Sequence, residues 1–176
     1  MPFRRKKIYD ESTLYEYAIG ALARRMRSVA ELKRLLRQRA SGEHAEALVE
    51  SVVAKLKEQR YLNDAQFAAA YSSYRREEKL GRRRVISDLK ARGVHPDVIG
   101  PTVSAAYAGT NEEGLARQFL RRKRLQKPEN AKQAARVFRA LARAGFSPRT
   151  CIAILKKWNV EDELLSALQA ENESAP

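Results

Sequence analysis

Two runs of basic residues carry the clearest chemical signal in the chain. Arg75, Arg76 and Lys79 lead into Arg82, Arg83 and Arg84, and further on Arg117, Arg121, Arg122, Lys123, Arg124 and Lys127 follow with no acid between them. A guanidinium presents a planar fork of N–H donors that matches carboxylate and phosphate oxygens two at a time, and Arg outnumbers Lys in both runs. This is chemistry for holding an anionic surface. The residues that turn substrates over are scarce. Cys151 is the only cysteine, so neither an internal disulfide nor a Cys-based zinc site can form. It stands among Ile152, Ile154, Leu155 and Trp158 and reads as a small buried hydrophobe. His44 lies in a glutamate-rich helix start and His95 at a helix cap, with no cue pairing either with a nucleophile. Glu77-Glu78 and Glu112-Glu113 are adjacent carboxylates, which project about 100° apart on a helix and suit dipoles and ion pairs better than acid–base work. Nucleotide-loop, dinucleotide and nucleophile-elbow motifs are missing from the sequence. The expectation is a protein that binds, with no catalytic residues, metal or cofactor.

Composition agrees. The 176 residues hold 35 Lys+Arg against 21 Asp+Glu, a formal charge of +14, yet 44% are hydrophobic, enough to bury a core. Eight Gly and six Pro leave too few turn signals for an all-β fold. The last sixteen residues carry five acids and no base, so the first 160 hold +19 against the whole-chain +14. A body that basic points to a polyanion or an acidic protein surface as partner, against the plainer alternative of a solvated helical surface. No stretch approaches the roughly 18 apolar residues of a membrane span. Met1–Lys7 is charged with no apolar run behind it, which does not read as a secretory leader. A cytoplasmic monomer is expected.

The elements that must position these charges are helices. Leu32 and Leu36 with Val29 and Leu35, then Val49, Val52, Val53 and Leu56 with Ala45, recur at helical spacing. Residues 115–124 place Leu115, Ala116, Phe119 and Leu120 opposite Arg117, Arg121 and Arg124, and residues 131–145 place Ala134, Val137, Phe138, Leu141 and Gly145 opposite Lys132, Arg136, Arg139 and Arg143. Over residues 63–79 the expected apolar seam is Phe67, Ala70, Tyr71 and Tyr74, with Ser72, Arg75, Arg76 and Lys79 on another face. That makes the tyrosines core residues rather than base-stacking platforms. Asn63 or Asp64, Asn111 and Ser147-Pro148 mark helix starts, His95-Pro96 similarly, and Gly93 and Gly145 mark stops. Gly100-Pro101 predicts a kink, or a short turn with a later helix start.

The chain matches itself at an offset of 52: Phe67 with Phe119, Val85 with Val137, Leu89 with Leu141, Gly93 with Gly145, Val94 with Phe146, Pro96 with Pro148 and Val103 with Leu155. A looser copy precedes them at an offset of 53, Leu14 meeting Phe67, Leu32 meeting Val85 and Leu36 meeting Leu89. Aligned Gly and Pro punctuation at constant offset indicates repeats. The expected architecture is all-α: three tandem three-helix repeats over 11–60, 61–109 and 110–160, forming an elongated, curved stack. A basic tail (1–10) precedes them and an acidic segment (161–176) follows. Three-helix units with a short middle helix also suit helix-turn-helix DNA readers, but no helix carries an identifiable set of base-reading side chains.

Segments of all three repeats resemble a known family. Arg60-Tyr61-Leu62-Asn63-Asp64-Ala65-Gln66-Phe67-Ala68, with Ile86-Ser87-Asp88-Leu89-Lys90-Ala91-Arg92-Gly93-Val94, resembles the central repeat of the RecX regulatory proteins. Leu141-Ala142-Arg143-Ala144-Gly145-Phe146-Ser147 is similar to the step in their third repeat, and Ser28-Val29-Ala30-Glu31-Leu32 to the Ser-x-x-Glu-Leu pattern of their first. Asn63 stands where the family has an acid, and Gly100-Pro101 is unusual. The resemblance implies a bacterial modulator of the RecA recombinase. Such proteins lie in the groove of the RecA–DNA filament and mainly inhibit its ATPase, strand-exchange and coprotease activities. Charge and face, rather than family contacts, nominate Arg75, Arg76, Lys79, Arg82, Arg83, Arg84, Arg117, Arg121 and Arg124 as filament- or DNA-binding residues, with any DNA binding weak and nonspecific. The competing expectation is a helix-turn-helix-like or nonspecific DNA binder with no recombinase partner; a purely structural helical scaffold is the third.

Overall fold

The structure is a computed structural model and describes residues 10–174. These residues form ten helices and no strand: α1 (Glu11–Arg24), α2 (Val29–Arg37), α3 (Ala45–Glu58), α4 (Asp64–Glu77), α5 (Arg82–Ala91), α6 (Pro96–Ala106), α7 (Glu112–Arg122), α8 (Ala131–Arg143), α9 (Pro148–Lys156) and α10 (Asp162–Ser174). The fold is all-α. Two compact units divide the chain, one taking residues up to Ala68 with Leu89–Ile99, the other Ala69–Asp88 with everything from Gly100.

In the first unit, α1 to α3 close around Leu14, Ala18, Leu32, Leu36, Val49 and Val53. Asp10 caps α1, its Oδ1 accepting the Thr13 N–H at 2.8 Å. The Ser-x-x-Glu pattern at α2 is a capping box: Ser28 Oγ accepts the Glu31 N–H and the Glu31 carboxylate accepts the Ser28 N–H. The same two residues grip the end of α5. Ser28 Oγ donates to the Arg92 carbonyl at 2.6 Å, and Glu31 pairs with the Arg92 guanidinium at 2.5 Å.

In the second unit the core gathers Leu115, Phe119 and Leu120 from α7, Val137, Phe138 and Leu141 from α8, and Phe146, Ile154 and Leu155 around α9. Leu165 and Leu168 of α10 join it. Within the acidic segment, α10 packs on this core. Its Leu pair lies three apart on one face, and burying each contributes roughly 1.5–3 kcal/mol, which holds the helix while Glu163 and Glu171 stay exposed.

Burial follows the repeat. Phe67 and Phe119, Val85 and Val137, Leu89 and Leu141, Val94 and Phe146, and Val103 and Leu155 are all buried. Asn63 caps α4, accepting the N–H groups of Ala65 and Gln66, and Asn111 and Ser147 cap α7 and α9.

One expectation fails, and one alternative of another is removed. On α4 the buried positions are Phe67, Ala68 and Ser72, whereas Ala70 is exposed and Tyr74 is 57% exposed, its hydroxyl donating to Glu78. Reading the larger side chains as core put the face one step off. The contact side is lined by small residues where packing is dense, and the phenol keeps its polar end in water. At Gly100-Pro101 no new helix begins; α6 runs unbroken from Pro96 to Ala106 with Pro101 inside. The carbonyl left without a partner by Pro101 is that of Asp97, which is exposed, so water can replace the bond.

Candidate functional site

The first basic run ends α4 and begins α5. Lys79 follows α4 with φ +64, and Arg124 stands in the same place after α7 with φ +55. In each case the next N–H reaches back over the turn, Leu80 to the Arg75 carbonyl at 3.1 Å and Leu125 to the Leu120 carbonyl at 2.9 Å. Glycine is usual at such a position, and an L-residue loses roughly 1–2 kcal/mol there. A cation beside the last carbonyls of a helix recovers part of that.

The opening of α5 runs against its own dipole. Arg82, Arg83 and Arg84 form its first turn with no acid among them, at the end where a positive charge is disfavoured by roughly 0.3–1 kcal/mol. The turn is satisfied from outside. Gly81 N–H donates to the Ala144 carbonyl at 2.8 Å and Arg83 N–H to the Gly145 carbonyl at 3.1 Å, so the end of α8 abuts the start of α5.

Several nominated side chains bond within the fold. Arg75, a quarter exposed, donates to Glu78 at 2.7 Å, to Asp88 at 3.0 Å and to the Tyr71 hydroxyl at 2.9 Å. Tyr71 donates in turn to Asp88 at 2.9 Å, and Arg84 Nε lies 2.9 Å from the other Asp88 oxygen. Burial works to raise Asp88, but the bonds from Tyr71 and Arg75 and the charge of Arg84 outweigh it and hold the carboxyl below its usual range. Burial likewise works against the Arg75 charge and is outweighed by Glu78, Asp88 and Tyr71, so its pKa is raised. Arg76 caps the end of α6 through the Ala106 carbonyl at 2.5 Å, and Arg82 donates to Ser104 Oγ at 2.7 Å. Arg117 pairs at 2.8 Å with Glu113, a carboxylate lowered by Lys157 and Arg117 together.

The side chains of Arg83, Arg121 and Arg124 are exposed and that of Lys79 is half-buried, and none of the four has a hydrogen-bond or ion-pair partner among the described residues. The two runs converge at Glu78. Its carboxylate takes Arg75, and its carbonyl accepts Arg122 Nη1 at 2.8 Å. Lys123, Arg136 and Arg143, basic residues not among the nominated contacts, share one groove with Arg84. The signal lay in the seven-residue spacing of the α8 arginines, whose role on a helix surface depends on what stands opposite.

Nothing in this region is set up for nucleophilic chemistry. Cys151 is buried, and burial pushes its thiol up to about 12, which keeps it protonated. Burial works to raise Glu112, yet its carboxylate is held low by Ser147 and Thr150, whose hydroxyls donate to it at 2.6 and 2.5 Å. It braces the start of α9.

Fold and surface together define a class, an all-α protein of successive three-helix groups with cationic helix ends. A family model described as the second three-helix domain of RecX matches residues 63–100. The chain is 32% identical over 160 residues to the regulatory protein RecX of Myxococcus xanthus, covering 83% of this chain and 85% of that one. It belongs to the RecX family of regulatory proteins, as its motifs imply. It is 29% identical over 173 residues to the RecX of Bacillus velezensis and spans 64% of that relative's length. The crystal structure of RecX from Lactobacillus salivarius shares the fold with a TM-score of 0.64 at 17% identity, over 85% of this chain and 96% of that one. Among the described residues no helix is long and apolar enough to cross a membrane.

Proposed function

We propose that this protein is a cytoplasmic, non-enzymatic modulator of homologous recombination and DNA repair. As a monomer it binds the RecA–DNA filament and mainly inhibits RecA ATPase, strand exchange and coprotease activity. The observation that carries the reading, beside family membership, is the Arg82–Arg84 turn. Three cations stand where the α5 dipole disfavours them, so their placement serves a partner better than it serves the helix. Arg83 and Arg121, whose exposed side chains have no hydrogen bond or ion pair among the described residues, are the leading contacts, with Lys79 and Arg124 beside them. Arg82, Arg84 and Arg117 contribute charge while tied to Ser104, Asp88 and Glu113. Arg75 and Arg76 act by shaping the surface. Any DNA contact is weak and nonspecific.

The test is RecA ATPase on single-stranded DNA with the wild-type protein and with Arg83→Glu combined with Arg121→Glu. Inhibition by the wild type that the variant loses supports function and site together. Equal inhibition by both removes these residues from the site and leaves the function. Absence of any effect on RecA, with DNA binding that falls steeply with salt, favours a nonspecific DNA binder instead.

A further inference from the structure

A groove of about 470 Å³ in the second unit lies between α8 and the ends of α4 and α7. Arg84, Lys123, Arg136 and Arg143 stand around it, all exposed, and Leu80, Leu125 and Ala140 form its floor. Arg84 shares its charge with Asp88, and Arg75, which also reaches the groove, is satisfied by Glu78 and Asp88. Lys123, Arg136 and Arg143 have no partner among the described residues, and no carboxylate lines the groove. On the same helix Arg139 already faces a carboxylate, that of Glu171 in α10, at 3.9 Å.

We propose that this groove docks an acidic peptide segment of a partner protein, one apolar side chain entering the floor while flanking carboxylates meet Lys123, Arg136 and Arg143. A guanidinium fork donates two parallel N–H bonds to the oxygens of one carboxylate, and an aliphatic floor gains from burying an aliphatic or aromatic residue. A single nucleic-acid strand fits less well. Base binding draws on open aromatic faces, and the one aromatic in the groove, Phe119, is buried and packs edge-on against Phe146 with ring centres 5.8 Å apart. The inference stands apart from the recombinase reading, because the peptide is recognised by chemistry that any acidic partner segment can offer.

Fluorescence anisotropy tests it with the labelled peptide Asp-Asp-Glu-Leu-Glu-Asp-Asp, the same peptide with Ala replacing Leu, and an oligothymidine of similar charge, at physiological ionic strength. Arg136→Glu with Arg143→Glu should weaken the Leu peptide about tenfold or more, the scale of losing close charge pairs. Replacing Leu by Ala should weaken it by about threefold to tenfold. Lys57→Glu with Arg149→Glu, an equal charge change at exposed positions outside the groove, should leave binding within about twofold. Arg136→Gln with Arg143→Gln repeats the test without adding carboxylates, and thermal unfolding checks that each variant is folded. The proposal is overturned if both double reversals weaken the peptide alike, if Leu and Ala peptides bind equally, or if the groove variant loses oligothymidine and not peptide. Because RecA takes no part in the assay, failure here leaves the modulator reading untouched.

Discussion

Gly81 and Gly145 meet backbone to backbone. A methyl group on Gly81 would lie 2.3 Å from the Gly145 carbonyl carbon, and one on Gly145 would lie 2.2 Å from the Arg84 nitrogen. In the first unit Gly93 stands in a corresponding relation to α2, where a methyl would fall 2.5 Å from the Ala30 Cβ. Each of these closing glycines, Gly93 and Gly145, receives the first turn of the middle helix of the preceding three-helix group. Gly42, at the same step of the first group, has no such neighbour and nothing within 4 Å of an added methyl, although its φ of +103 is equally left-handed.

The three glycines should therefore separate conformational strain from crowding. Gly42→Ala should cost about 1 kcal/mol, the strain alone. Gly145→Ala should cost about 3 kcal/mol or more, because backbone atoms that cannot swing aside add an overpacking penalty. Gly93→Ala should fall between them, its neighbour being a side-chain methyl. Urea unfolding of the three variants gives the order, and equal losses at Gly42 and Gly145 would refute the packing role.

Lys79 and Arg124 should show stability and function moving in opposite directions. Replacing either by Gly relieves the left-handed strain at φ +64 or +55 and should stabilise the protein by about 0.5 kcal/mol, the strain relief being partly offset by the freer unfolded chain. The same change removes a charge from the proposed filament surface, so inhibition of RecA ATPase should weaken. Thermal unfolding and the ATPase assay on one preparation check both halves.

Ser72 is fully buried on α4, and its Oγ has no hydrogen-bond partner among the described residues. Ser72→Ala removes an unsatisfied hydroxyl and keeps the volume nearly constant. It should be neutral or stabilising by up to about 1 kcal/mol, read as a shift in the urea midpoint at constant slope. A loss above that range would mean the hydroxyl is bonded.

Acid should weaken the fold through Asp88, Glu78 and Glu112, all held below their ordinary values. A carboxyl whose folded pKa is depressed contributes stability that is complete above its unfolded pKa, about 4, and disappears as pH falls through the folded value. Stability should be level near neutrality and fall below pH about 4. Glu112→Gln should cost about 1–2 kcal/mol at neutral pH, through weaker bonds to Ser147 and Thr150, and less in acid. Urea unfolding across pH tests the sign; a variant that loses more in acid than at neutrality contradicts it.

Much of this molecule was legible in one dimension. Helical spacing named Leu32, Leu36, Val137, Phe138 and Leu141 as core, cap residues marked the starts of α4, α7 and α9, and the 52-residue offset aligned positions that prove to be buried in pairs. These are local matters: periodicity, a capping oxygen and a left-handed stop are encoded within a few residues of where they act. The sequence alone also determined that the chain carries an excess of positive charge grouped at helix ends, and its motifs pointed to the RecX family.

What each charge does was decided by the tertiary structure. Arg75 and Arg83 look alike in the sequence, yet the side chain of one is locked to Glu78, Asp88 and Tyr71 and that of the other is exposed, with no hydrogen bond or ion pair among the described residues. The face of α4 could not be read either, because Tyr71 and Tyr74 outweigh Ala68 and Ser72 in apolar size while close helix contact selects the smaller pair. Gly145 read as a stop signal and is also the seat of α5, and Arg136 and Arg143 became a groove wall only when α4 and α7 ended beside them. An Arg side chain bonds what the fold brings within reach, and what lies within reach of Arg76, Arg136 or Gly145 is set by residues tens of positions away. Spacing along the chain selects the helices, and the contacts between them assign each arginine to the fold or to a partner.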